Sequence, residues 1–533
     1  QEPLDEDAVR ATIMKWKDDV EGFAISGFFG VYNPTHELRV KALVQSMTGM
    51  PVTCGHELSS RLDSVRRATT AALNAQLIPL LHDLIATVRR TLDGMGVGAP
   101  LMVVKGDGSL VRSEWAMQRP IETILSGPAA SVVGAWHLAG RQDVWTVDVG
   151  GTTTDIAVLD GGRPRKNPHG ARVGGWRTMV EAVDVHTVGL GGDSHVRLNG
   201  GKLLIGPRRV IPLCLLAHQY PTILERLRLQ EQDKADGRAG QFILLQRKAP
   251  RGLSAEKRAM VRRLKDGPRA LSSLVAEGPL AAQWVRGLEA RQIVLRSAFT
   301  PTDALHVLGR LTLWNADASR LGGQMLAREL DVTLETLCER AVDGVSDRVS
   351  QALVTKILSD EGASPDWDAE PSALALLSRA LGKDGGSDLS CALQLRRPLV
   401  AIGAPVEAYM PHVAEQLDTE LVIPSHAGVA NAVGAVTGSV VQQIRVTIQP
   451  IDGDIFRVHL PDGVHDFPTL TDSVRYAEDT MTPRVEAMAR EAGARQIEVR
   501  IEREDKTAPV RGNRIYLGTE IRFTATGRPS LAG

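Results

Sequence analysis

The sequence predicts an α/β protein, and three observations carry that expectation. Short apolar runs bounded by glycine, proline or acids alternate with longer stretches of helical periodicity over residues 22–139. The run Val144-Trp145-Thr146-Val147 then leads through Asp148-Val149-Gly150-Gly151-Thr152-Thr153-Thr154-Asp155 into Ile156-Ala157-Val158-Leu159, which reads as strand, turn and returning strand. Further on, Pro398-Leu399-Val400-Ala401-Ile402 ends in Gly403-Ala404-Pro405 before a helical stretch at 406–417.

Taken in order, residues 6–20 read as a helix and 22–31 as a strand ending at Asn33-Pro34. Asn33 is the expected cap of a helix carrying 36–47, with Pro34 at its first position. A short strand at 52–54 precedes a long helical stretch at 62–92, and a turn-rich break at 94–100 follows. Residues 101–104 form a buried strand whose end loop is Lys105-Gly106-Asp107-Gly108, where α/β folds place ligands. Residues 128–139 read as a small-residue helix made for close packing.

The hairpin at 144–159 has the chemistry of a phosphate cradle. Gly150 and Gly151 let backbone N–H groups approach an anion with no Cβ in the way, and the hydroxyls of Thr152 and Thr153 add donors. Asp148 and Asp155 beside bound phosphates call for a cation, so Mg²⁺ held through water is expected there. A turn that only reverses the chain has no use for acids at both ends.

The loop Asp184-Val185-His186-Thr187-Val188-Gly189-Leu190-Gly191-Gly192-Asp193-Ser194-His195 brings a second glycine pair, Gly191 and Gly192, close in sequence to the hairpin. Cys54, His56 and Glu57 are candidate metal or acid–base groups for a substrate, with Asp184, His186 and His195 as further candidates; a satisfied core histidine is the competing reading. Strand alternation would put Cys54 and His56 on one face and Glu57 on the other, against a three-ligand metal site. Neither a Gly-x-Ser-x-Gly elbow nor a His-Glu-x-x-His helix is present.

Residues 208–299 are basic, with Lys257-Arg258, Arg262-Arg263 and Lys265, and read as an amphipathic helical insertion with a solvated face rather than a nucleic-acid surface. Thr302-Asp303 reads as a helix cap before 304–308. Residues 360–371 form a surface linker, 426–436 a small-residue helix with Asn431 its one polar contact, and 442–533 a small α+β tail with a helix at 474–492.

The hairpin resembles the phosphate hairpins of the superfamily that joins acetate kinase, sugar kinases, heat-shock chaperones and actin. More narrowly, the chain is similar to the hydantoinase A and 5-oxoprolinase family. That similarity rests on Ile25-Ser26-Gly27-Phe28-Phe29 with 33–39, on Cys54-Gly55-His56-Glu57-Leu58-Ser59-Ser60, and on Val104-Lys105-Gly106-Asp107-Gly108. It continues through Ile124-Leu125-Ser126-Gly127-Pro128-Ala129-Ala130, the hairpin, Thr300-Pro301-Thr302-Asp303 and 424–432.

The resemblance implies actin-like, ribonuclease H-like ATPase lobes with ATP and Mg²⁺ as cofactors. In the superfamily the loop matching Gly403 and Ala404 holds the adenosine. It also implies phosphorylation of the carbonyl of a small cyclic amide such as a hydantoin, 5-oxoproline or another lactam, with Asp155 the first choice and Asp148 the second for positioning water on the metal or acting as base. A hydantoinase B-like partner subunit would complete hydrolysis, and an oligomer is expected. The alternatives are an acetone carboxylase-like subunit activating a ketone, or a non-catalytic ATPase switch regulating a partner enzyme.

Two departures stand out. The chain opens with Gln1 and shows no first acidic-Gly-Gly-Thr hairpin, so the family pattern implies a further N-terminal segment, truncated or carried on a separate chain. After Gly206-Pro207 it reads Arg208-Arg209-Val210-Ile211-Pro212-Leu213-Cys214, unlike the usual run, which keeps the substrate open. The expected organisation is the rest of a first lobe at 1–140, the phosphate hairpin at 141–207, the insertion at 208–299, the rest of the ATPase core at 300–441 and the tail at 442–533.

Bulk properties fit a large enzyme of the cytoplasm. A net charge of −1 gives no general attraction to nucleic acid or acidic membranes. Four scattered cysteines without a C-x-x-C pair fit a reducing compartment. Apolar stretches look broken before the length of a membrane span, and no signal peptide is apparent.

Overall fold

The computed structural model describes residues 3–232, 238–250, 252–276, 278–383, 385–451, 455–510 and 513–530. The chain divides into two compact units. The first gathers residues 1–137, 162–184 and 431–533, and the second residues 138–161 and 185–430.

The first unit is built on a sheet whose strands run Gly463–Phe467, Ile455–Leu460, Val440–Ile451, Asn513–Pro529, Ala494–Val510, with Leu110–Arg112 and Met102–Val104 added beside the third. Strand Val440–Ile451 alternates buried and half-exposed positions, so one face meets the core and the other does not. Helix Leu470–Glu491 covers that face, burying Val474, Ala477, Met481, Val485 and Ala489 against Ile444, Val446, Ile448 and Phe523. The helix expected at 474–492 starts four residues earlier because Thr469 caps it, and the sheet it covers takes strands from 102–112 as well as from 440–529.

Around this sheet stand the N-terminal elements. Helix Glu6–Trp16 is capped by Asp5, and strands Phe23–Ile25 and Val52–Cys54 pair in parallel. The strand expected over 22–31 therefore stops at Ile25, because Gly27 and Gly30 fold the chain into turns around the Glu37 carboxylate. Helix Thr35–Thr48 starts beyond Pro34, and Asn33 accepts from the Thr35 N–H at 3.1 Å and its hydroxyl at 2.6 Å, one residue off the expected cap geometry.

Helix Ser64–Gly94 is long and apolar enough to cross a membrane by length and composition, the single such helix among the described residues, contrary to the sequence expectation. One such helix says little by itself. This one buries Arg67, Thr70 and Asn74 along one side, and Asn74 joins Thr53, Gln118 and Ile121 by hydrogen bonds.

The small-residue helix Ser126–Ala139 packs backbone to backbone with Ala430–Thr437: a Cβ on Gly434 would lie 1.8 Å from the Ala130 carbonyl oxygen. Asn431 donates to Gly127 O at 2.8 Å and Ser131 Oγ at 3.2 Å, so its polar contact is with this helix.

The second unit centres on a sheet with strands in the order His186–Val188, Thr154–Asp160, Val144–Val149, Leu399–Ile402, Leu421–Val422. The first three are antiparallel, and the last two run parallel to Val144–Val149. Helices Leu334–Asp360 and Val406–Gln416 pack together, tied by Ser346 Oγ donating to Tyr409 O at 3.0 Å.

Residues 208–299 hold the expected helices and also a four-stranded sheet, Ile211–Pro212, Val294–Ala298, Phe242–Leu245, Arg269–Ala270. The basic helix Ala255–Leu264 buries Met260, Val261 and Leu264 in that subdomain's core and leaves its lysines and arginines outward, which is the solvated-face reading. Thr300, not Thr302, caps helix Pro301–Val307, in a capping box with Asp303. Asp303 also accepts from the Leu213 and Cys214 N–H groups and the Ser319 hydroxyl, so it is an internal tie with its lone pairs used.

Candidate functional site

Val144, Trp145, Thr146 and Val147 are all buried, which sets this strand in the middle of the sheet and brings Asp148 out at its carboxyl end. There the chain turns, closed by the Gly150 N–H donating to Thr153 O at 2.9 Å, and Gly151 and Thr152 at the tip are exposed. Asp148 and Asp155 are direct partners across the antiparallel pair, so both side chains share one face. Like charges placed so are unfavourable unless a cation or a proton lies between them.

Burial raises the Asp155 carboxyl above its ordinary value, and a 2.6 Å hydrogen bond from the Thr187 hydroxyl offsets part of that. Thr187 sits opposite Asp155 in the register, which turns its neighbour His186 to the other face of the sheet. His186 is therefore near the hairpin but does not share the face of the two aspartates.

The second glycine loop lies directly on the hairpin. Gly192 N–H donates to Gly150 O at 3.2 Å and Asp193 N–H to Gly151 O at 2.7 Å. A Cβ on Gly191 would come 2.3 Å from Gly150 O, so only glycine allows this approach. Asp193 brings a third carboxylate, 3.1 Å from where a Cβ of Gly151 would stand. Burial raises its carboxyl too, against the Arg209 guanidinium 3.4 Å away.

From the other side comes strand Leu399–Ile402, with Ile402 opposite Asp148. Gly403 follows at φ +107°, and a Cβ there would lie 2.2 Å from Val149 O and 3.1 Å from the Asp148 carboxylate. Gly403 N–H donates to Ala427 O at 3.0 Å, and Gly428 approaches Ala404. The structure thus gathers Asp148, Gly150–Thr153, Asp155, Gly191, Gly192, Gly403 and Ala404 at one end of one sheet. Sequence reading missed Thr187 and Asp193 here; their signal was their place in a loop already marked by its glycines.

Cys54, His56 and Glu57 stand in the first unit. The strand ends at Cys54 and a short helix Gly55–Leu58 begins, so strand alternation does not govern their directions. Glu57 pairs with Lys41 at 2.6 Å, and the partner of Cys54 and His56 is Glu37, which sequence reading did not single out. Donor atoms of Glu37, Cys54 and His56 lie within 4.8 Å of one another.

Glu37 is almost fully buried and accepts from Gly27 N–H at 2.6 Å, His56 N–H at 3.0 Å and His56 Nδ1 at 2.5 Å. Burial would raise its carboxyl, but these donors outweigh it and hold the group below its ordinary value. Burial, with Glu57 and Glu37 nearby, pushes the Cys54 thiol up to about 12, so it is neither nucleophile nor ready ligand at neutral pH.

His56 and Glu57 border a cleft of about 530 Å³ that also carries the Lys105–Asp107 loop, Arg119, Glu122 and Lys166. Asp107 lies 3.7 Å from Lys105 and 3.6 Å from Lys166, and the Ser109 hydroxyl donates to it at 2.6 Å. Burial would raise Asp107, yet the two ammonium groups and Ser109 bring it to about 2. Lys105, which burial would lower, is held above its ordinary value by Asp107 and Glu122. Asp184, also in this unit, accepts from the Asn167 side chain at 3.0 Å.

Residues 67–213 match the hydantoinase/oxoprolinase model, and residues 1–48 match the hydantoinase/oxoprolinase N-terminal region. Caprolactamase subunit alpha of Pseudomonas jessenii is 33% identical over 214 residues, 39% of this chain. The matched stretch spans only 30% of that relative's length.

Among solved structures, the ATP-dependent caprolactamase from Pseudomonas jessenii aligns with a TM-score of 0.60 at 18% identity, over 99% of this chain and 68% of that one. Nucleotide-free acetone carboxylase aligns with a TM-score of 0.54 at 16% identity, over 99% and 68%. At such identity the likeness shows the fold, which is the α/β, actin-like architecture expected from the hairpin. The matched models, the alignment to a caprolactamase subunit and the shared fold converge: over residues 1–48 and 67–213 the chain matches the hydantoinase/oxoprolinase family.

Proposed function

We propose that the chain is the nucleotide-binding part of an ATP-dependent enzyme that activates the carbonyl of a small cyclic amide by phosphorylation. Hydrolysis would be completed with a hydantoinase B-like partner subunit. The observation that carries this reading is the exposed Gly150–Thr153 turn between facing carboxylates, closed by the Gly191-Gly192 and Gly403-Ala404 loops. The family match supports it, as does the ATP dependence of the caprolactamase that shares the fold.

The residues present fit such a group. The Gly151 N–H and the hydroxyls of Thr152 and Thr153 would hold phosphate oxygens, Gly150 shaping the turn with its own N–H on Thr153 O, and the glycine at 403 leaves room for a nucleoside. Asp148 and Asp155 would hold Mg²⁺ through water. When bound, ATP with Mg²⁺ supplies the phosphoryl group and the neutralising charge. Thr187 orients the Asp155 carboxylate, which is assigned to positioning water or accepting a proton, and Asp148 to steadying the cation. His56 and Glu57, which border the cleft of the first unit, are proposed substrate contacts, and Cys54, buried and protonated, supports His56 by way of Glu37; His186, beside the hairpin in the second unit, is a separate proposed contact. An oligomer and a cytoplasmic location belong to the same proposal.

The likeness to acetone carboxylase favours one further reading, activation of a ketone. Calorimetry with Mg²⁺ and a non-hydrolysable ATP analogue tests the core of the proposal: binding is expected, and Asp148→Ala or Asp155→Ala should abolish it. Absence of binding by the native chain would sink it. ATP turnover with the partner subunit present, screened over a hydantoin, 5-oxoproline, caprolactam and acetone, then separates amide from ketone; stimulation by a protein partner alone points to a regulatory switch.

A further inference from the structure

In the second unit a cavity of about 760 Å³ lies against the subdomain formed by residues 208–299, and none of the hairpin, Gly191-Gly192 or Gly403-Ala404 residues line it. Its wall carries Arg197, Arg208, Arg238, Arg286 and Arg296, against one carboxylate, Glu329, among the described residues. Arg296 is spent on a two-pronged contact with Glu289 at 2.8 and 3.0 Å, and Arg208 reaches the same carboxylate at 3.6 Å. Arg197 and Arg286 make no ion pair among the described residues and are exposed at the cavity.

His195 also lines the cavity. It is 5% exposed, and no side chain or backbone group among the described residues hydrogen-bonds its ring. Burial, together with Arg296, Arg208 and Arg197, brings its imidazole down to about 3, so it is neutral at any ordinary pH and offers one donor and one acceptor. Its ring nitrogens open onto the cavity, so a group held there can pair with them. Apart from Gln241, the remaining side chains of the wall are apolar, among them Leu213, Leu271, Val275, Val285, Phe299 and Leu326.

We propose that this cavity is a second ligand site, for an organic anion with an apolar body and a carboxylate or phosphate head. Guanidinium groups recognise both heads through paired N–H donors, the imidazole fixes the head's orientation, and the apolar wall takes the body. The volume suits a ligand larger than a bare inorganic ion. His195 follows the Gly191-Gly192-Asp193 loop that hydrogen-bonds the phosphate hairpin, so an occupant would touch the chain two residues from that loop.

The test is calorimetric titration of the full chain, at low salt, with 4-phenylbutyrate, phenyl phosphate and inorganic phosphate. At least one aryl anion should bind with a dissociation constant below ~1 mM and about tenfold or more tighter than inorganic phosphate. Which of the two binds better tells the carboxylate head from the phosphate head. The double variant Arg197→Ala/Arg286→Ala, at exposed positions that the fold does not need, should weaken that binding by about tenfold or more, and His195→Leu should weaken it while keeping the bulk. Neither aryl anion binding, inorganic phosphate binding as tightly, or affinity unchanged in the double variant would each overturn the proposal. Displacement of the aryl anion by ATP with Mg²⁺ would assign it to the hairpin and overturn the separate site.

Discussion

Replacing Gly191 by alanine tests the way the site is assembled. Gly191 does not need a left-handed backbone, so alanine brings no conformational penalty; the whole effect comes from contact. The added Cβ would sit 2.3 Å from Gly150 O and 2.7 Å from both the carbonyl carbon and oxygen of Gly151, all backbone atoms that cannot swing aside. The loop must back away, and the first bonds to go are Gly192 N–H to Gly150 O and Asp193 N–H to Gly151 O. At a net value near 1 kcal/mol for each, the local cost is roughly 1–3 kcal/mol. Hydrogen exchange followed by mass spectrometry reads this directly, because local opening sets the exchange rate of the two amides. Their exchange should speed up by roughly 5- to 150-fold. Gly189→Ala is the control: its Cβ would meet Pro207 O at an ordinary 3.4 Å, and the effect should stay within about 0.5 kcal/mol. Equal exchange in the two variants would refute the close-approach account of this loop.

Other outcomes follow from the same geometry. Thr187→Val removes the donor that offsets the effect of burial on Asp155, so its carboxyl rises further and the acid limb of Mg²⁺-nucleotide binding should move to higher pH in a calorimetric pH series. Asp107 sits lower in the folded chain than in the unfolded one, so its contribution is full above its unfolded value of 3.8 and lost as pH falls toward about 2. Asp107→Asn should therefore cost roughly 2 kcal/mol in urea unfolding at neutral pH, with the gap to the native chain closing between those two pH values. Glu37→Gln leaves a donor facing the His56 N–H groups and should destabilise the first unit by about 3 kcal/mol, read as a lower urea midpoint.

The parts of the fold that were legible in the sequence are those whose signal is local. The hairpin at Val144–Val149 and Thr154–Asp160 and strand Leu399–Ile402 announce themselves through unbroken apolar runs and turn glycines, and helix Ser64–Gly94 through apolar residues at helical spacing. The strand expected over 22–31 failed because the turns there are imposed by a carboxylate ten residues further along the chain. The strands within 208–299 were hidden by short length and by neighbours of helical periodicity. Glu37 illustrates the limit best: on its own helix it looks like a first-turn acid favoured by the dipole, and nothing in its spacing reveals the bond to His56. Thr187 became readable only once the register set it opposite Asp155.

The order in which the chain visits its two units bears on how it is made. Leu110 and Val111 belong to the same core as Ile444, Val446 and Phe523, and Leu110 pairs with Val440. A ribosome adding 5–20 residues each second must extend the nascent chain by some 330 residues, roughly 15–70 s of synthesis, before that partner emerges. Throughout that interval Leu110 and Val111 lack the strands that complete their core, while the intervening stretch at 185–430, which forms most of the other unit, is being made. Synthesis rate and chaperone supply should therefore govern the yield of folded protein more strongly than the stability of the finished fold.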